Sequence, residues 1–405
     1  MTATLPGALE RGRLPMVLSM VMSAALAVIT ALRFVVLVQF LTPDDYGRIN
    51  IFATLTSVVP LLMSLGMSVQ YQRVARAAGS KSLRTLTRTA LVVNALTTLP
   101  TFVIVLLIAH PLSGPEGYVL PAILAVVISA ATSIATLYSQ TALGLGYRTT
   151  ASGMLFLVNA CGAVPLVPIW ISETASVTSV LAWWAAGAAI ACVLSRAILP
   201  SKEMIPVDDL DPHLSYREGI YTLPVQVGPW LILFLVRYII GLNIDTSAIA
   251  AFAVASTVAD MGFLVASAAL GFFSNRLMSN QITPARALLF TTPVLLAVTA
   301  GGGAIVYLFL PIIGKGGDYE FPVAVSIILA MLSLTRLYIS AWRPRIVGLR
   351  RLHSTSWVYF FCIGTISVAL FTMKPATLAP YAWISLAAFV LIAGVQRSVV
   401  RQAEA

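Results

Sequence analysis

Charge is what this sequence has least of: across 405 residues there are 25 lysines and arginines, 15 aspartates and glutamates and three histidines, and charged side chains make up 10%. A soluble chain carries about 25% charged residues, so a soluble protein of two or three domains is excluded. Cysteine is scarce too. Cys161, Cys192 and Cys362 each sit in apolar stretches, where a free thiol behaves as a small hydrophobe, and they imply neither a disulfide framework nor a metal cluster. His110, His213 and His353 fall in loops or at the ends of apolar runs and are too scattered for a shared site. Nothing matches a glycine-rich phosphate loop ending in Lys and Ser or Thr, so the chain does not itself hydrolyse nucleotide, and no cofactor is implied.

What is abundant is apolar surface. Hydrophobic residues make up 59% and the mean hydropathy is +0.93, so the solvent for most of the chain is lipid. A membrane span needs about 20 mostly apolar residues. The sequence predicts twelve, at 14–40, 47–71, 85–108, 119–142, 150–171, 177–199, 218–242, 246–274, 287–312, 321–342, 355–373 and 378–396. The first, from Leu14 to Phe40, is too long for the core of a cleaved signal peptide and has no small-residue cleavage site, so it is expected to stay in the mature protein.

The formal charge of +10 is explained by where the charges lie. With a cytoplasmic amino terminus, twenty of the 25 basic residues fall on one side, from Arg11 and Arg13 through the cluster Arg73, Arg76, Lys81, Arg84 and Arg88 to Arg397 and Arg401, with Arg336, Arg343, Arg345, Arg350 and Arg351 among them. The other side holds Arg48, Lys315 and Lys374 beside seven carboxylates, including Asp44, Asp45 and Asp245. The positive-inside rule then orients the chain, and an even number of spans returns the carboxyl terminus to the cytoplasm. The basic surplus therefore reads as topology and attraction to anionic lipid headgroups, not as a nucleic-acid surface.

The longest polar stretch, Pro200 to Glu218, has three prolines and five carboxylates and divides six spans from six. It predicts two six-helix bundles, 1–199 and 218–405, joined by a cytoplasmic linker at 200–217. The halves echo each other faintly. Arg33-Phe-Val-Val-Leu leads thirteen residues on to Tyr46, and Arg237-Tyr-Ile-Ile-Gly leads twelve on to Ile249, each through a short acidic turn. Such a repeat would relate the halves by an axis along the membrane normal. The other loops are short, which leaves no room for a soluble catalytic domain.

Arg33 and Arg237 each interrupt an apolar run. An arginine inside a span costs roughly 2.5–3.5 kcal/mol on insertion scales, so it faces protein or a watery cavity, or snorkels to the headgroups. Facing a cavity, a guanidinium fork suits phosphate oxygens, which it binds bidentately. Asp260 is the one carboxylate deep in a span. Isolated, it could carry a proton or cation for coupling, and its structural alternative is pairing with an arginine or hydroxyls. Leu41-Thr-Pro-Asp-Asp-Tyr-Gly47 reads as a turn and helix start rather than an acidic metal site. The cluster Arg73, Arg76, Arg84 and Arg88 is a topogenic signal or a place where an anionic lipid-linked substrate loads from the cytoplasm.

The run Leu41-Thr-Pro-Asp-Asp-Tyr-Gly-Arg48, followed by Ile-Phe-Ala-Thr-Leu55 and Leu61-Leu-Met-Ser-Leu-Gly-Met67, resembles the opening of the polysaccharide-transporter, or O-antigen flippase, family. Pro43, the acidic pair, Tyr46, Gly47 and Gly66 carry the likeness. That family shares a superfamily with the multidrug and toxin extruders and the peptidoglycan lipid flippases. The resemblance implies a MATE-like fold of two six-helix bundles around a central cationic cavity. It also implies passage of polyprenyl-diphosphate-linked oligosaccharides from the cytoplasmic to the outer leaflet of a bacterial inner membrane. On it, Arg33 and Arg237 are expected to hold the diphosphate. Span 7 departs from the family pattern in carrying Arg237 where many relatives have an acidic or neutral residue, which leaves Asp260 as the coupling candidate.

Expected partners are the lipid-linked oligosaccharide, anionic lipids and a polysaccharide polymerase and co-polymerase, with a monomer sufficient for the cavity. Three other readings compete. A drug or organic-cation exporter would need carboxylates and aromatics where this chain has two arginines against one aspartate, and a membrane glycosyltransferase or polymerase would need a sizeable outer loop bearing acid or base residues. A non-transporting assembly subunit makes no such demand on the sequence.

Overall fold

The computed structural model describes residues 13–78, 83–112, 117–199, 216–271, 273, 276–277, 280–315, 318–348 and 352–404. Among these the chain is all α. Its helices are α1 (Arg13–Phe40), α2 (Pro43–Met63), α3 (Ser68–Ala78), α4 (Leu83–Ala109), α5 (Val119–Gly144), α6 (Arg148–Ala160), α7 (Leu166–Ser172), α8 (Val177–Ala197), α9 (Tyr216–Asn243), α10 (Thr246–Gly271), α11 (Pro284–Ile313), α12 (Val323–Gly348), α13 (Ser356–Met373) and α14 (Leu378–Glu404). Among the described residues eleven helices are long and apolar enough to cross a membrane, with α6 and α7 counted as one, and the remaining expected span is α1, whose apolar part is Ala24–Phe40. The protein is a multi-pass membrane protein.

Local chemistry explains where these helices begin. Thr42 caps α2 by accepting from the Asp45 amide at 3.3 Å, Pro43 stands in the first turn where no amide donor is needed, and Asp44 and Asp45 face the positive end of the helix. Thr283 and Pro284 open α11 in the same way. The α8 start is a reciprocal capping box between Ser176 and Ser179. Hydroxyls within spans fold back on the preceding turn, as Ser129 does to the Ala125 carbonyl (2.7 Å) and Ser385 to the Tyr381 carbonyl (2.8 Å). Lipid offers no partner for such groups, so these bonds are made within the protein, although the buried hydroxyls of Ser133, Ser195, Thr299 and Ser333 are left without one.

In the first half α5 is central and packs on α2, α4, α6 and α8. In the second half α10 packs on α11 and α12, α12 on α14, and α9 on α13. The halves meet through α1 on α10, α9 on α2, and α2 on α10, so the first two spans of each half cross the first two of the other. Gly47 makes the α2–α10 contact possible: a Cβ there would run into the Thr246 backbone carbonyl.

Cross-half bonds lie at both ends of the helices. At the end carrying the α1–α2 and α9–α10 turns, Thr246 donates to Asp44, Lys315 Nζ donates to the Phe40 carbonyl at 3.1 Å, and the Tyr319 hydroxyl donates to the Leu41 carbonyl at 3.0 Å. At the opposite end Gln70 Nε2 donates to Glu218 Oε2 at 2.5 Å, and Gln226 Nε2 to the Gly66 carbonyl at 3.0 Å.

Several sequence expectations are corrected. Span 2 does not run to residue 71. It ends at Met63, a turn through Leu65 and Gly66 with positive φ follows, and the chain resumes as the separate helix α3. Hydropathy is blind to this break because Leu65 and Met67 keep the window apolar. Span 5 is interrupted by a 3-10 turn at Cys161–Ala163 ahead of Pro165. Of the expected linker, residues 200–215 lie outside the described residues, and residues 216 and 217 are already helical. Arg336, assigned above to the cytoplasmic charge set, is a buried residue midway along α12.

Candidate functional site at the contact between the halves

Four helices bring charged side chains into the spans, and a fifth brings a hydroxyl. Asp260 is the fifteenth of 26 residues in α10, Arg336 the fourteenth of 26 in α12, and Thr54 the twelfth of 21 in α2. Arg33 and Arg237 stand seven and six residues before their helix ends at Phe40 and Asn243, or about 10 Å along the axis.

Arg237 is 9% exposed and spans the boundary between the halves. Its Nη1 donates to Thr54 Oγ1 of α2 at 2.6 Å, and its Nη2 donates to Ser256 Oγ of α10 at 2.7 Å. Each hydroxyl passes its own proton to a helix carbonyl, Thr54 to Asn50 and Ser256 to Ala253, so each is oriented to accept. Asp260 Oδ2 lies 3.9 Å from Arg237 Nη2, a looser contact. Buried and paired on both sides, Arg237 does not snorkel.

Arg336 holds the other oxygen of the same carboxylate. Its Nη1 pairs with Asp260 Oδ1, and its guanidinium lies 4.2 Å from the centroid of the Phe263 ring and 5.6 Å from that of Trp230. Asp260 is therefore not isolated: it pairs with Arg336 and approaches Arg237. Its side chain keeps 30% exposure while that of Arg336 keeps 7%, so the carboxylate borders open space and its partner does not.

Arg33 lies on the first-half side. Its guanidinium covers the Trp184 ring at 4.1 Å from the centroid, and it approaches Gly162 so closely that a Cβ there would sit 2.6 Å from Nη1. No carboxylate among the described residues pairs with it. Among the described residues, two guanidiniums share the Asp260 carboxylate and Arg33 adds a third positive charge with no carboxylate partner, so positive charge is in excess within these spans.

The basic cluster expected on the cytoplasmic side is only partly described. Arg84 and Arg88 are exposed on α4. Arg73 and Arg76 are on α3, with side chains outside the described set, and Lys81 lies outside the described residues altogether. Sequence reasoning missed Arg336, Trp184, Thr54 and Ser256. For Arg336 a signal existed, since Leu-Ser-Leu-Thr-Arg-Leu-Tyr-Ile-Ser interrupts an apolar span as Arg33 and Arg237 do. The other three are ordinary span residues until tertiary contacts pick them out.

This arrangement rests on a known fold. The chain is similar to an outward-facing multidrug-resistance MATE transporter of the MOP superfamily (TM-score 0.60, 14% identity, 100% of this chain and 99% of that one). It is similar also to an inward-facing MATE transporter of that superfamily (0.62, 13%, 95% and 99%). A third similar structure is a MOP superfamily transporter from Pyrococcus furiosus described by the reverse polarity of its binding pocket (0.60, 13%, 100% and 100%). The architecture is that of the MOP superfamily transporters. Within it, the chain belongs to the polysaccharide biosynthesis protein family, whose profile matches residues 36–274, more than half its length. No match was found among curated proteins.

Proposed function

We propose that this protein is a flippase that moves polyprenyl-diphosphate-linked oligosaccharide repeat units from the cytoplasmic to the outer leaflet of the bacterial inner membrane for O-antigen, capsule or exopolysaccharide synthesis. The observation that carries the reading is the excess of guanidinium over carboxylate, among the described residues, within the spans where the halves meet: Arg33, Arg237 and Arg336 against Asp260. A diphosphate has the opposite charge and the oxygen geometry that guanidinium forks bind. The 30% exposure of Asp260, on a helix packed by five others, supports a watery space there, because a carboxylate facing lipid would be costly.

In this reading 1–199 and 218–405 are two bundles that rock about the site, 200–217 is a cytoplasmic linker, and both termini are cytoplasmic. Arg33 and Arg237 hold the diphosphate, the sugars cross between the bundles, and the prenyl tail stays in lipid. Arg73, Arg76, Arg84 and Arg88 attract the anionic substrate and neighbouring lipids on the cytoplasmic side. The protein works as a monomer beside a polymerase and co-polymerase. Export of organic cations uses the same fold, but a cation would meet like charge here, so charge sign separates the two readings.

The test is leaflet translocation of a polyprenyl-diphosphate oligosaccharide in proteoliposomes, with native protein compared with the Arg33→Gln, Arg237→Gln double variant. Loss of activity in a folded double variant supports the reading. Retained activity removes the arginines from the path, and an inactive native protein that moves an organic cation instead would overturn the substrate class.

A further inference from the structure

The single carboxylate in the arginine cluster is held unevenly, and the unevenness has a direction. Asp260 gives one oxygen to a direct bond with Arg336 and leaves the other 3.9 Å from Arg237. Arg237 in turn spends its two terminal nitrogens on neutral hydroxyls, Thr54 and Ser256, and its Nε has no partner. Neutral acceptors are weaker than anionic ones by roughly a factor of two, so Arg237 is solvated by the protein without being neutralised. Arg336 is fixed from behind by Phe263 and Trp230 and is the less exposed member of its pair.

We infer that Asp260 is an internal competitor for the substrate's diphosphate at Arg237, and that Arg336 is the positioning residue that holds this competitor back. With the site empty, Asp260 stays with Arg336, and Arg237 keeps only the neutral acceptors Thr54 and Ser256, which a phosphate oxygen can displace. When the substrate must leave, the carboxylate is already within 3.9 Å and closes on Arg237 as the phosphate departs, which lowers the cost of release. Ion-pair exchange of this kind needs no proton. It also ties occupancy to the contact between the halves, because Thr54 belongs to the first half and Asp260 to the second. This inference rests on the diphosphate reading above and adds a residue and a device to it.

The two partners of the ion pair should then shift ligand affinity in opposite directions. The probe is farnesyl diphosphate, with farnesol as the uncharged control, bound to the purified full chain in detergent and followed by calorimetry. Asp260→Asn removes the competitor and should tighten binding about tenfold, the scale of one charge-assisted contact, while slowing release in translocation assays. Arg336→Gln frees the carboxylate to collapse on Arg237 and should weaken binding about tenfold. The double variant Asp260→Asn, Arg336→Gln should recover the affinity that Arg336→Gln lost, which a merely structural role for Arg336 would not produce. Arg336→Lys, which keeps a cation on Asp260, should stay within about threefold of native and guards against misfolding as the cause. Weaker or unchanged binding by Asp260→Asn, or a double variant no better than Arg336→Gln, overturns the competitor role and leaves the diphosphate reading standing. Absence of binding by both the native chain and Asp260→Asn overturns both.

Discussion

Arg33 lays its guanidinium on the indole of Trp184, 4.1 Å from the ring centroid, and has no carboxylate partner among the described residues. The ring face compensates part of the charge without neutralising it, since a cation over an aromatic face gains about 0.5–2 kcal/mol. On the diphosphate reading, the ring steers Arg33 and leaves its charge for the anion. Trp184→Leu should leave the protein folded and reduce translocation about two- to thirtyfold, the range that such an energy implies. Trp184→Phe should fall between the two. Equal activity in native and Trp184→Leu proteins would show that the ring does not position Arg33.

The Arg336–Asp260 pair also has a stability signature. Removing one partner of a buried pair costs about 3–5 kcal/mol, but Asp260 keeps Arg237 nearby and is partly accessible, so the expected cost is smaller. Arg336→Ala should lower stability in detergent by about 1–3 kcal/mol, read as a drop in Tm, and Arg336→Lys should recover most of it. A Tm unchanged by Arg336→Ala would mean that the pair contributes nothing to the folded state.

Gly47 and Gly364 provide a matched comparison. A Cβ at Gly47 would collide with the Thr246 backbone carbonyl, whereas one at Gly364 meets nothing within 4 Å. Gly47→Ala should therefore push α2 from α10 and weaken the closure that Thr246 and Asp44 make beside it. Cysteines placed at positions 44 and 246 would then crosslink more slowly. Gly364→Ala should leave both Tm and crosslinking unaltered. Similar crosslinking rates in the two alanine variants would contradict close packing as the reason for the glycine.

Tyr319, in the loop between α11 and α12, gives a pH dependence. Burial first, then nearby Tyr46 and Asp45, push its phenol well above the ordinary tyrosine range. In the folded protein it remains a donor to the Leu41 carbonyl, while in the unfolded chain it ionises near pH 10. Its contribution to stability is complete below pH 10 and declines as pH rises past that value, by up to about 1.4 kcal/mol per pH unit. The Tm difference between native protein and Tyr319→Phe should hence be constant from pH 7 to 9 and shrink from pH 10 to 11. A difference that narrows below pH 9 would place the ionising group elsewhere.

Much of the architecture could be read directly from hydropathy, and the errors have physical causes. The break after Met63 was hidden because Leu65, Met67 and the neighbouring apolar residues satisfy a hydropathy window whatever their φ. The turn at Cys161–Ala163 was hidden for the same reason. Arg336 was misassigned because counting charges by side takes a basic residue near a span end as a topological mark, although α12 continues twelve residues beyond it to Gly348.

The sequence by itself determined that the chain is a set of membrane-crossing helices, roughly where they lie, and that its opening motif is that of polysaccharide biosynthesis proteins. Lipid offers no hydrogen bonds, so every apolar stretch of sufficient length must close its own backbone bonds as a helix, and that outcome is local. Only the tertiary structure decided which charges meet. Arg237 reaches Thr54 across 183 residues and Arg336 reaches Asp260 across 76. Those pairings depend on how each helix is rotated and which helix it packs against, and neither is encoded in the composition of a single span.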